Sequence, residues 1–192
     1  MIGDAVEYMS HHPVPGVLCE FGVWQGGGLE SIKLCSEEYL GGGIPIFGFD
    51  TFEGMPVTSV QLKDHCAEVW RPGGYADTSR ALVEARVPGV ALIKGEFGTL
   101  GPLLDYGIMQ VRFARIDCDI YEGYRDALRL LTPAIQKGTI LLFDEGVAPD
   151  DERYHAGVRD SGERAIREWE QTSGVHLRTL QEKWTERLGV VE

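Results

Sequence analysis

Basic residues are scarce in this chain: 18 Lys and Arg stand against 30 Asp and Glu, a net charge of −12. That balance opposes non-specific binding to nucleic acid or an anionic membrane, both of which need basic patches. It suits a cationic cofactor, a divalent metal or a neutral acceptor. Cysteines are few, and Cys19, Cys35, Cys66 and Cys118 show no C-x-x-C spacing that would build a zinc or redox site. Cys19 and Cys118 lie inside apolar runs, where a reduced, buried thiol is the usual state. No apolar run approaches the roughly 20 residues that span a bilayer, and no charged-then-apolar leader is present. The expectation is therefore a cytoplasmic protein with no membrane or nucleic-acid partner. Repeats, charge tails and low-complexity linkers are also lacking, so one domain over residues 1–192 is expected.

Glycine, by contrast, is abundant, with 25 in 192 residues. Without a collagen period, such an excess implies tight turns or loops whose backbone closely approaches a ligand. Short apolar runs alternate with longer amphipathic stretches, the pattern of a parallel sheet covered by helices. The runs Val17 to Phe21, Pro45 to Phe49, Val90 to Ile93, Val111 to Ile116 and Thr139 to Phe143 read as strands buried on both faces. Helices are expected over Gly28 to Tyr39, Thr78 to Ala85, Tyr124 to Leu131 and Gly162 to Thr172. His176 to Gln181 and Trp184 to Val190 read as a closing antiparallel hairpin. Two long loops, Asp50 to Tyr75 and Gly146 to Ser161, follow strand ends, where open α/β sheets bind ligands.

Four segments carry chemistry. Glu20-Phe-Gly22-Val-Trp24-Gln-Gly26-Gly27-Gly28 joins the first strand to the first helix, whose free N–H groups can receive a carboxylate or phosphate. Its spacing is E-x-G-x-x-x-G-G, distinct from the G-x-G-x-x-G of dinucleotide folds. Asp50, in Phe47-Gly-Phe-Asp50-Thr51-Phe52-Glu-Gly-Met-Pro56, ends the second strand, where an acid can accept both hydroxyls of a ribose. Phe52 can stack on a purine or fill the core. Asp117 and Asp119, two apart on extended backbone after the fourth strand, can converge on one side. Asp144 and Glu145 end the fifth. Each acid alone reads most simply as a solvated strand-end residue. As two pairs at neighbouring strand ends they suggest a hard, oxygen-ligated cation such as Mg²⁺, with one acid left free as a base. His155 could serve as a base from its loop; His11, His12, His65 and His176 show no partner spacing. Trp70, Arg71 and Tyr75 either wall an acceptor site or pin their loop.

As an ordered set, EFGVWQGG, FGFDTFEGMP, RIDCDIYEGYRDAL and GTILLFDEG resemble the macrocin O-methyltransferase family, sugar methyltransferases of antibiotic biosynthesis. The resemblance spans about Glu20 to Gly146, with a weaker echo near Gly162 to Trp169. It implies a three-layer Rossmann-like class I methyltransferase fold, a mostly parallel seven-stranded sheet with an antiparallel C-terminal hairpin. It implies S-adenosylmethionine as cofactor. The methionine part would lie along Glu20, Gly22, Trp24, Gly26 and Gly27, the ribose on Asp50, and the adenine between Thr51, Phe52, Glu96 and Phe97. The family's D-G-D-L-Y pattern falls on Asp117 to Tyr121, making Asp117 a metal ligand and Asp119 the general base. Asp144 and Glu145 would complete the metal site, with Glu145 standing where the family has a second aspartate. The acceptor would be a small molecule bearing a hydroxyl, sugar-like, and a homo-oligomer is compatible with the pattern. Two other readings stay open: a nicotinamide-dependent oxidoreductase, and a non-catalytic cofactor-binding domain of a larger assembly.

Overall fold

The computed structural model describes residues 1–59, 62 and 64–192, the side chains of 64 and 65 excepted. Seven strands, β1 (Val17–Phe21), β2 (Ile46–Asp50), β3 (Ala91–Lys94), β4 (Val111–Ile116), β5 (Ile140–Phe143), β6 (Leu177–Lys183) and β7 (Glu186–Val191), form one sheet in the order 3-2-1-4-5-7-6. The first five are mutually parallel; β7 runs antiparallel to β5, and β6 to β7. This is the arrangement the resemblance implies, and the predicted strand positions agree to within a residue or two.

Alternation along each strand sends neighbouring side chains to opposite faces. Cys19, Phe21, Phe49, Ala114, Ile116, Leu141 and Phe143 pack on one face against helices α5 (Tyr121–Leu131) and α7 (Arg164–Ser173). Leu18, Ile46, Leu92, Phe113, Ile140 and Leu142 pack on the other, against α1 (Ile2–His11), α2 (Gly27–Leu40) and α4 (Arg80–Arg86). Burying one such side chain fully is worth about 1.5–3 kcal/mol, so both layers are driven by the strand sequence itself.

Both regions expected as long loops contain a short helix: α3 (Asp64–Val69) in the first and α6 (Glu152–Val158) in the second. The two pack together through an apolar cluster of Cys66, Trp70, Ile120 and Val158, with the backbone of Gly157 against Cys66. Their order comes from this tertiary contact; each is too short to hold on local propensity. Between α6 and α7 the chain makes a π-helical turn, Arg159–Glu163. There a Cβ on Gly162 would lie 2.3 Å from the Glu145 carbonyl oxygen, so the widened turn lets backbone approach backbone at that point. Among the described residues no helix is long and apolar enough to cross a membrane.

Candidate active site

In the strand order, β1 and β4 are neighbours whose connections leave in opposite directions, the crevice where open α/β sheets bind ligands. The two chains touch there. A Cβ on Gly22 (φ 86°) would fall 1.7 Å from the carbonyl oxygen of Asp117. Above this contact opens a cavity of about 570 Å³, lined by Gly22, Trp24, Asp50, Thr51, Glu96 and Phe97 at one end and by Asp117, Asp119, Ile120 and Asp144 at the other.

Asp50 organises the cofactor end. Its Oδ2 accepts the Val23 and Trp24 backbone N–H groups at 2.7 and 2.9 Å, and its Oδ1 accepts that of Phe52 at 2.6 Å. The carboxylate thereby fixes the loops after β1 and β2 together. Trp24 and Phe52 both adopt left-handed backbone (φ 46° and 53°), a conformation costly for bulky residues and compensated by these bonds. The Trp24 indole donates to Asp77 Oδ1 at 2.8 Å, Gln25 Nε2 donates to Asp77 Oδ2 at 2.9 Å, and the Thr78 hydroxyl donates to the Trp24 carbonyl. Tyr75 meets the Trp24 ring edge to face at 5.4 Å. Asp77 and Thr78 gave no sequence signal, since nothing in their spacing shows that they fold back over the first glycine loop.

Several predicted cofactor residues lie away from the cavity wall. Phe52 is buried in the core with Val23 and Leu29 and is not part of the cavity wall. Gly26 caps α2 in left-handed conformation, and Gly27 sits near Arg86. Glu20 is fully buried, and Gly28 is glycine because a Cβ would meet Glu20 Oε1 at 1.8 Å. Glu96 and Phe97 do line the cavity, Phe97 resting edge to face on Phe21 at 5.4 Å.

At the other end, carboxyl oxygens of Asp117, Asp119 and Glu145 lie within 4.8 Å of one another. Burial pushes the Asp117 carboxyl up to about 7, with the neighbouring Asp144 adding repulsion. Burial and then the surrounding acids push Asp119 and Glu145 well above the usual carboxylate range. Asp144 joins the group differently: Arg115 binds it at 2.9 Å while also binding Asp117 at 2.6 Å and Glu20 at 2.8 Å. Burial works against the charge of this guanidinium, but the three acids outweigh it and hold Arg115 protonated. Glu145 is oriented from behind by Tyr124, whose hydroxyl lies 2.6 Å from Oε2 and accepts the Glu145 N–H at 2.9 Å. Asp119 itself takes left-handed backbone at φ 58°. Neither Arg115 nor Tyr124 was assigned a role from sequence. A charged residue inside the apolar run of β4 was the available signal, because a buried charge requires partners.

The remaining candidates separate clearly. Tyr75 lines the cavity; Trp70 is buried with its indole hydrogen-bonding toward the Asp119 carboxyl, and Arg71 is exposed. His155 lies on α6 with Nδ1 2.7 Å from the Pro149 carbonyl oxygen, off the cavity wall. His12 stacks on Tyr8, and the side chain of His65 lies outside the described residues.

Comparison with known proteins fits this geometry. No curated protein matches the chain. The O-methyltransferase NovP superposes with a TM-score of 0.77 at 20% identity, over 98% of this chain and 77% of that one. CalS11, the calicheamicin methyltransferase, gives 0.72 at 24% identity over 98% and 76%; its apo structure is that of a TDP-rhamnose 3′-O-methyltransferase. The methyltransferase PaMTH1 of Podospora anserina, bound to S-adenosylhomocysteine, gives 0.59 at 12% identity over 99% and 77%. At these identities the likeness establishes the class I methyltransferase fold. The family model for macrocin O-methyltransferase matches residues 1–163. The chain therefore belongs to the macrocin O-methyltransferase family of S-adenosylmethionine-dependent methyltransferases.

Proposed function

We propose that the chain transfers the methyl group of S-adenosylmethionine to a hydroxyl of a sugar-like small molecule, with a divalent cation, Mg²⁺, at the acid cluster. The observation that carries this reading is the convergence of strand-end acids at one end of a cavity whose other end is built by Asp50 and the first glycine loop. An acid-rich crevice also favours a sulfonium cation over the neutral thioether left after transfer.

The residues fit a hard cation. Buried carboxylates facing one another resist ionisation, and a bound dication removes that penalty. Asp117, Asp144 and Glu145 would hold it, with Arg115 offsetting part of the charge of Asp117 and Asp144. When bound, such a cation lowers the pKa of a coordinated hydroxyl. The chain's own residues do the rest. Gly22 and Trp24 would seat the methionine part, Asp50 the ribose, and Thr51, Glu96 and Phe97 the adenine. Asp119 takes the acceptor's proton as the hydroxyl oxygen bonds to the methyl carbon and the carbon–sulfur electron pair passes to sulfur. Alignment is most of the work, since the sulfonium methyl is already activated. The closeness of Asp119 to Asp117 and Glu145 supports a second assignment, with Asp119 as a ligand.

Calorimetric titration tests both parts. S-adenosylhomocysteine is expected to bind in the micromolar range with Mg²⁺ and with EDTA, and Mg²⁺ to titrate the cofactor-bound protein saturably. Absence of heat and of thermal shift with either cofactor form would remove the reading.

A further inference from the structure

Among the described residues, three of the five non-glycine residues with left-handed backbone are aromatic and exposed: Trp24 (43%), Tyr75 (37%) and Trp184 (62%). The first two form the edge-to-face pair already described. Trp184 belongs to a second such pair, meeting Tyr154 of α6 at 5.3 Å and 74°.

Trp184 is the first residue of the two-residue turn between β6 and β7, and its φ is 55°. Hairpins with positive φ at that position favour glycine. Tryptophan there strains the backbone and leaves a large apolar ring in water, so stability does not account for it; such outliers point toward function. The turn is fixed close to the acid cluster. The Gly146 and Val147 N–H groups donate to the Thr185 carbonyl at 2.8 and 3.1 Å, joining it to the segment directly after Glu145. Glu186 lies near enough to repel the Asp117 carboxylate. Tyr154 packs against the apolar cluster containing Ile120, a cavity residue, and its phenol is felt by Tyr75.

We propose that the Trp184–Tyr154 pair, which lies outside the wall of the cavity itself, is the platform on which the pyranose ring of the acceptor stacks, holding its hydroxyl toward the acid cluster. This rests on the sugar-methylating reading above. A pyranose presents one face of C–H groups that packs on an aromatic surface, while its hydroxyls stay free for the acids and water. Arg153 stands 5.8 Å over the Tyr154 ring, so the exposed Trp184 ring supplies the stacking face. Because the ring is already held by the turn, stacking on it orders little additional structure.

The test uses p-nitrophenyl α-L-rhamnopyranoside with the full chain saturated with S-adenosylhomocysteine and Mg²⁺, read by saturation-transfer NMR. In the wild type the pyranose C–H protons are expected to receive saturation ahead of the aryl protons. Trp184→Ala should weaken binding about tenfold, the scale of one aromatic contact, and Trp184→Phe should recover most of it. Equal binding by Trp184→Ala, saturation confined to the aryl protons, or no saturation in the wild type would each overturn the platform. Calorimetry with S-adenosylhomocysteine on the same samples separates this from failure of the methyltransferase reading: cofactor heat with no sugar contact rejects the platform alone.

Discussion

Asp119→Asn is expected to lower kcat for methyl transfer by about 10²–10⁴-fold, the usual contribution of a positioned general base. The substitution isolates chemistry from shape. Asparagine is as tolerant of left-handed backbone as aspartate, so φ 58° at this position is preserved. The side chain keeps its size and hydrogen-bonding oxygen but cannot accept the acceptor's proton. Cofactor affinity should be unchanged, because the cofactor end of the cavity is built by Asp50 and the loops it ties together. Mg²⁺ affinity decides between the two assignments of Asp119. Loss of kcat with Mg²⁺ titration intact identifies the base, whereas loss of both identifies a ligand. Full activity in the variant would contradict any direct role.

The second large effect falls on stability. Arg115→Leu should lower the unfolding free energy by about 3–5 kcal/mol above neutral pH, the cost of leaving partners of a buried ion network uncompensated. Glu20 and Asp117 already sit with their carboxyls pushed up to about 7, burial being the main cause, despite the guanidinium beside them. Without it they rise further. A carboxyl whose folded pKa exceeds its unfolded value contributes stability that is intact below the unfolded pKa and lost as pH rises through the folded one. The loss in the variant should therefore be greatest above about pH 7 and shrink toward about pH 5, where these acids bind protons in the folded state. Arg115→Lys, which retains a charge but loses the fork that reaches three acids, should lose less. Denaturant unfolding across this pH range provides the measurement. A loss independent of pH would mean that Arg115 acts by packing alone.

How much was legible in the sequence follows from what each part depends on. Strands β1 and β4 stand out because a short run with little polar alternation marks a strand buried on both faces. The paired acids stand out by their spacing after β4, but Asp119 leaves extended backbone at φ 58°, so the turn beyond the strand, not strand alternation, brings it beside Asp117. Elements stabilised by distant contacts did not. Helix α3 forms where Cys66 meets Gly157, a contact 91 positions away in the chain that local periodicity cannot announce. Phe52 had two readings, and the core prevailed because Asp50 fixes the turn that carries its ring inward. Asp144 and Glu145 were read as equals. Only the folded chain separates them, setting Asp144 on Arg115 and Glu145 on Tyr124. Trp184 read as the start of a strand, and its position as an exposed turn residue near the acids emerges only from the pairing of β6 with β7.

The most direct measurement is transfer of a labelled methyl group from S-adenosylmethionine to a panel of free and nucleotide-linked deoxysugars, with Mg²⁺ and with EDTA. The account predicts an O-methylated sugar in Mg²⁺, its suppression by EDTA, and recovery when Mg²⁺ is restored. Cofactor binding without labelled product from any sugar would contradict the proposed acceptor class, and product formed equally in EDTA would contradict the role given to the acid cluster.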